Sequence, residues 1–125
     1  MAEREILFRG KRIDNGEWIT DSETYIRDGD GIWLSDENLN VVTVIPETVG
    51  QFTGLTDKNG RRIFEGDIVD YISSDVIGNP KTGTIIVEDM TDYDTMIYLN
   101  HSDELQIIGN IHDNTEILKG GGDNG

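Results

Sequence analysis

Thr48-Val-Gly-Gln-Phe-Thr-Gly54, Asp57-Lys-Asn-Gly60 and Ile63-Phe-Glu-Gly-Asp-Ile-Val69 follow one another in the middle of a 125-residue chain. Phe52 to Leu55 and Ile63 to Phe64 read as short β-segments flanking the Asp57–Gly60 turn, with further glycines at fixed offsets. Such a stretch specifies a backbone shape and offers no group set up for a reaction. Gly50, Gly54, Gly60 and Gly66 are therefore expected to hold conformations or close contacts that a Cβ would disturb. Glu65-Gly66-Asp67 reads as a tight turn opening the strand that begins at Ile68. Asp67 is expected to bond the amides of that turn and not to serve chemistry.

Outward from this stretch the signals stay of β type. Asn15-Gly16 lies between Arg9-Gly-Lys-Arg-Ile13 and Glu17-Trp-Ile-Thr20, and an Asn-Gly pair there is the strongest short-range hairpin signal. Asp28-Gly-Asp-Gly31 repeats the device between Thr24–Arg27 and Ile32–Leu34. Val41-Val-Thr-Val-Ile45 is a β-branched run halted by Pro46, which has no donor for a ladder. The expected strands are 6–9, 17–20, 24–27, 32–34, 41–45, 68–72, 82–87, 95–99 and 105–108. Helix signals are weak, with single turns conceivable at Ser35–Leu39 and Asp113–Leu118.

The fold class is thus all-β, with N-terminal β-hairpins packed on a small SH3-like antiparallel barrel at about residues 62–112. The expected organisation is a hairpin region at 1–47, a Gly-punctuated barrel region at 48–118 sharing one core, and a flexible tail at 119–125. A chain of this length buries enough surface to stand without staples. It has no cysteine, so disulfide frameworks and thiolate metal sites are excluded. No apolar run reaches the ~20 residues of a membrane span. The first residues lack the apolar region of a signal peptide, and the expectation is a cytoplasmic protein.

Charge is the extreme feature: 25 acids against 10 bases give −15. No Lys or Arg occurs between Thr82 and Leu118, where Glu88, Asp89, Asp92, Asp94, Asp103, Glu104, Asp113 and Glu116 fall. The bases gather at Arg4, Arg9, Lys11 and Arg12, and again at Arg61 and Arg62. Such a balance disfavours direct nucleic-acid binding. Acids imitating phosphates would be the sharper reading, and solvated faces the plainer one.

Tests for chemistry are negative. His101 with Asp103 and Glu104 lacks the spacing of a metal set and reads as a hydrated cluster. Asp28-Gly-Asp-Gly31 fails as a calcium loop, because Ile32 and Leu39 stand where oxygen ligands belong. Gly78-Asn-Pro-Lys-Thr-Gly-Thr84 carries Thr84 where a phosphate loop needs Lys, and a strand follows. The pair Asp92 and Asp94 is what chance gives in so acidic a chain. Trp18, Trp33, Tyr25 and Phe52 read as packing residues before they read as a platform. No catalytic, cofactor-binding or metal-binding residue is nominated, no cofactor is implied, and the protein is not expected to be an enzyme.

Arg9-Gly-Lys11, Gly16-Glu-Trp18, Thr48–Gly60, Ile63–Val69 and Ile108-Gly-Asn-Ile-His112, kept in that order over nearly the whole chain, resemble the YopX family of small phage and prophage proteins. The resemblance implies a mostly β, self-associating protein of phage origin in the bacterial cytoplasm. It carries over no reaction and no site residues. An oligomeric accessory protein acting by protein contacts, with a host or phage protein as a further partner, is the expected function. The alternative is an acidic nucleic-acid mimic that inhibits a host DNA- or RNA-binding protein. Exposed strand edges favour a homo-oligomer, in which Arg4, Arg9, Lys11 and Arg12 of one copy would meet the acidic 88–104 region of another.

Overall fold

Short runs of β-branched and aromatic residues become strands here because such side chains pack well on a pleated surface. The computed structural model describes residues 5–74, 77–88 and 93–114. The chain divides into two compact units, Met1–Gly54 and Leu55–Gly125.

In the first unit, β1 (Phe8–Lys11) and β2 (Trp18–Ser22) pair antiparallel. Their turn carries Gly16 at φ 75°, and the Asn15 side-chain oxygen accepts from the Glu17 amide at 2.9 Å. β3 (Tyr25–Asp28) and β4 (Gly31–Ser35) form the next hairpin around Gly29 at φ 63°, and β5 (Val41–Val44) pairs the other edge of β4. Pro46 ends that run and opens a single 3-10 turn, Pro46–Thr48. β6 (Gly50–Thr56) then pairs with β1. Ile19, Ile32, Leu34 and Val44 form the core of the unit, with Phe8, Val42 and Val49 packed against it. A Cβ at Gly10 would stand 3.2–3.3 Å from Val49, Leu34 and Val44, so β1 lies directly on this core.

The far end of β6 runs into the second unit, beside β7 (Arg62–Phe64). β8 (Asp67–Ser74) is the central strand of a three-stranded antiparallel sheet, between β9 (Pro80–Ile86) and β10 (Glu104–Asn110). Ile63, Val69, Val87, Leu99 and Leu105 are its buried cluster. The all-β, antiparallel class therefore holds.

Three expectations need correction or placing. Residues 95–99 are not a strand: they lie in helix α1 (Tyr93–His101). Both β9 and β10 run antiparallel to β8 on opposite sides of it, so they are parallel to each other. The chain must return along the sheet between them, and a helix is the usual solution for such a crossover. Thr95 and Leu99, one turn apart, are both buried. A continuous apolar run cannot be told from a strand by periodicity alone. Ser35–Leu39 is likewise no helical turn. Ser35 closes β4, and the Asp36 carboxylate accepts from the Asn38 and Asn40 amides at 2.9 and 2.8 Å. Local bonding of this kind competes with helix. Of the Asp113–Leu118 segment, residues 115–118 lie outside the described residues, as do the tail at 119–125 and Asp92.

Candidate functional site

The central motif builds two turns around buried carboxylates. In the β6–β7 turn, Asp57 is 5% exposed. Its Oδ1 accepts from the Asn59 and Arg61 amides, both at 2.9 Å, and its Oδ2 accepts from the Ile107 amide of β10 at 3.1 Å. The Arg61 Nε lies 3.5 Å from Oδ2, and Arg61 Nη2 donates to the Ile107 carbonyl at 2.7 Å. Burial alone would raise the Asp57 carboxyl. The amides of Ile107, Arg61 and Asn59 and the Arg61 charge outweigh it and hold the group below the usual carboxylate range. Gly60 closes this turn at φ 83° with open space around its Cα.

In the β7–β8 turn, Asp67 is 2% exposed and its Oδ2 accepts from the Phe64 amide at 2.8 Å. Gly66, at φ 97°, donates to the Val87 carbonyl and accepts from the Ile111 amide at 2.9 Å. Glu65 is half-buried beside it, Gly54 has φ 92°, and Gly50 is buried in β6 opposite Arg9. These six residues are thus spread along two turns and one strand.

Two surfaces are better candidates for recognition. On the β8–β9–β10 sheet, Asp70, Ile72, Thr82, Thr84, Glu104 and Gln106 share one face, and with Lys58 they line a hollow of about 370 Å³. Thr84 donates to Asp70 Oδ1 at 2.7 Å, and Lys58 Nζ lies 3.2 Å from Glu104 Oε2. Tyr71 faces the other way, over Gly83, where an added Cβ would meet the ring at 2.7 Å. In the first unit, Arg9 Cζ lies 4.9 Å and Lys11 Nζ 5.6 Å from the centroid of the Trp18 ring. An indole carrying two cations is the electrostatically favoured arrangement. Arg12 is engaged elsewhere, with both of its bonds to Asp14 at 2.9 Å, and the hydrogen bond to Arg12 lowers the Asp14 carboxyl.

Sequence reasoning puts Arg9 and Lys11, and the acidic region ending at Glu104, into an expected contact between copies, but it singles out neither Asp70 nor Asp57. Asp57-Lys-Asn-Gly60 did carry the signature of a side-chain-capped turn. What it lacked was any local sign of Ile107, fifty positions away, which completes the burial. The cluster at His101 divides between the last turn of α1 and the start of β10, where Asp103 accepts from Ser74 and Glu104 meets Lys58. Among the described residues, no three His, Cys, Asp or Glu side chains come together as a metal set. No helix among them is long and apolar enough to cross a membrane.

The YopX family model, described as YopX protein, matches residues 7–119. The chain belongs to the YopX family. The match spans every strand of both units and α1, so both surfaces lie on the YopX fold itself. No curated protein and no solved structure matches the chain.

Proposed function

We propose that this YopX protein is a phage- or prophage-encoded accessory protein without catalytic activity, which works in the bacterial cytoplasm by self-association and contact with a host or phage protein. The observation that carries the reading is β3. It is an edge strand of its sheet, and all four of its residues are exposed. Tyr25 and Ile26 put apolar surface on that edge, at 39% and 45% exposure. Unpaired edges of this kind are where another strand adds. The indole with two cations in the first unit supports the same reading, since it gathers two of the ten bases of a chain of net charge −15. Mimicry of nucleic acid gains less support, since Asp103 and Glu104 are engaged by Ser74 and Lys58.

Sedimentation equilibrium at tens of micromolar protein tests the proposal. An assembly larger than one chain is the expected result. A species of monomer mass would overturn self-association.

A further inference from the structure

Resting on that self-association, we infer that the two surfaces bind each other between copies: the Arg9–Trp18–Lys11 strip of one chain seats in the hollow on the β8–β9–β10 sheet of the next. The chemistry of the two matches group by group. The strip is an indole with two cations near it, Arg9 at 4.9 Å and Lys11 at 5.6 Å from the ring centroid. The hollow is lined by Ile72, by carboxylates at Asp70 and Glu104 and by one cation, Lys58.

Spacing matches as well. Lys11 pairs with Trp18 across β1 and β2, so the two side chains share a face, and Arg9 lies two residues back along β1. That puts about 7 Å between the Cα atoms of Arg9 and Lys11 along the strand. In the sheet, Gln106 pairs with Asp70 and Glu104 with Ile72. Asp70 and Glu104 are therefore diagonal neighbours, about 7–8 Å apart. Ile72, 39% exposed, stands beside them as the apolar contact for the indole. Large aromatic side chains with flanking cations are the residues that most often anchor an interface.

The charge of the chain selects the same occupant. A protein at −15 tends to repel a second copy, and a contact that sets positive against negative offsets part of that repulsion. Lys58 competes for Glu104, but both side chains of that pair are more than two-fifths exposed, and exposed pairs are readily exchanged. Strip and hollow are different surfaces, so the contact is either reciprocated in a two-fold dimer or repeated head-to-tail. Repetition closes a ring or extends a filament.

Charge reversal tests this on the full chain by sedimentation. Asp70→Lys alone and Lys11→Glu alone each set like charges against each other and are expected to weaken assembly by about tenfold or more, as close interfacial charge pairs do. An equimolar mixture of the two single variants presents only matched contacts, in alternation, and is expected to assemble within about threefold of wild type; the double variant should do the same. Recovery in the mixture also shows that both singles are folded. Singles that assemble like wild type would overturn this contact while leaving self-association through another surface intact. Singles that dissociate without recovery in the mixture would also overturn it. A monomeric wild type would remove both this inference and the reading beneath it, and leave the hollow to a cationic segment of another protein.

Discussion

The two units tie buried turns to neighbouring strands with different chemistry. The first buries a neutral hydroxyl, Ser22, and leaves its turn-holding carboxylate, Asp36, partly exposed. Ser22 Oγ accepts from the Ser35 and Thr24 amides at 3.0 and 3.1 Å, donates to the Thr24 carbonyl at 2.8 Å, and lies 3.1 Å from Ser35 Oγ. The second uses buried carboxylates, Asp57 and Asp67, each taking backbone amides. A hydroxyl bonds locally and is indifferent to pH in the ordinary range. A carboxylate draws stronger bonds from the same amides and makes the structure around it depend on protonation.

The largest break in this comparison is expected at Asp57. Asp57→Ala strips the acceptor from the Asn59, Arg61 and Ile107 amides and should cost about 3 kcal/mol, the scale of losing a buried, charge-assisted network. Hydrogen exchange read by mass spectrometry locates the damage: protection should fall at 57–61 and 104–110 and persist at 25–35. Protonation gives a milder version of the same loss. The folded carboxyl sits below its ordinary value, so its contribution is present above the unfolded pKa of about 4 and is lost as pH falls through the lower folded value. Protection at 104–110, taken relative to the intrinsic exchange rate at each pH, should therefore fall on acidification from neutrality to below about pH 4, and that fall should vanish in Asp57→Ala.

Ser22→Ala should cost less, about 2 kcal/mol, because neutral bonds are lost and two amides are left to find other partners. Both tryptophans, Trp18 and Trp33, are in the first unit. Urea unfolding followed by their fluorescence should shift in Ser22→Ala and shift less in Asp57→Ala. Equal shifts would mean the units melt as one. Gly60→Val comes next, at about 1–2 kcal/mol: there is open space for the side chain, and only the positive φ resists it. A parent-like thermal midpoint for this variant would show that the turn relaxes freely.

The same contrast explains how much could be read from sequence. The first unit is a series of hairpins whose turns, Asn15-Gly16 and Asp28–Gly31, announce themselves locally, and its strands fall within a few residues of where the pattern puts them. The second unit rests on distant pairings. That β9 and β10 lie on opposite sides of β8 is invisible in Thr95-Met-Ile-Tyr-Leu99, yet it is what turns that run into a helix. The candidate surfaces were hidden for a related reason. Arg9, Lys11 and Trp18 belong to one hairpin, but only their shared face makes them a strip. Asp70 and Glu104 are brought together by a register that no local signal encodes.

The smallest expected effect on stability is at Lys58, and there the comparison turns toward function. The Lys58–Glu104 pair is 42% and 43% exposed at its two side chains. An exposed pair contributes between nothing and about 1 kcal/mol, so Lys58→Ala should leave unfolding within about 1 kcal/mol of the parent. The Lys58 amide keeps its bond to the Leu105 carbonyl whatever the side chain. Self-association should nevertheless move. Without Lys58, Glu104 loses its internal cation and the hollow becomes more negative, which favours the Arg9–Trp18–Lys11 strip of another copy. Assembly measured by sedimentation should strengthen, and more so at low salt, where screening is weakest. A variant that assembles more weakly would place Lys58 among the groups that hold the partner and would sink the charge assignment of the hollow.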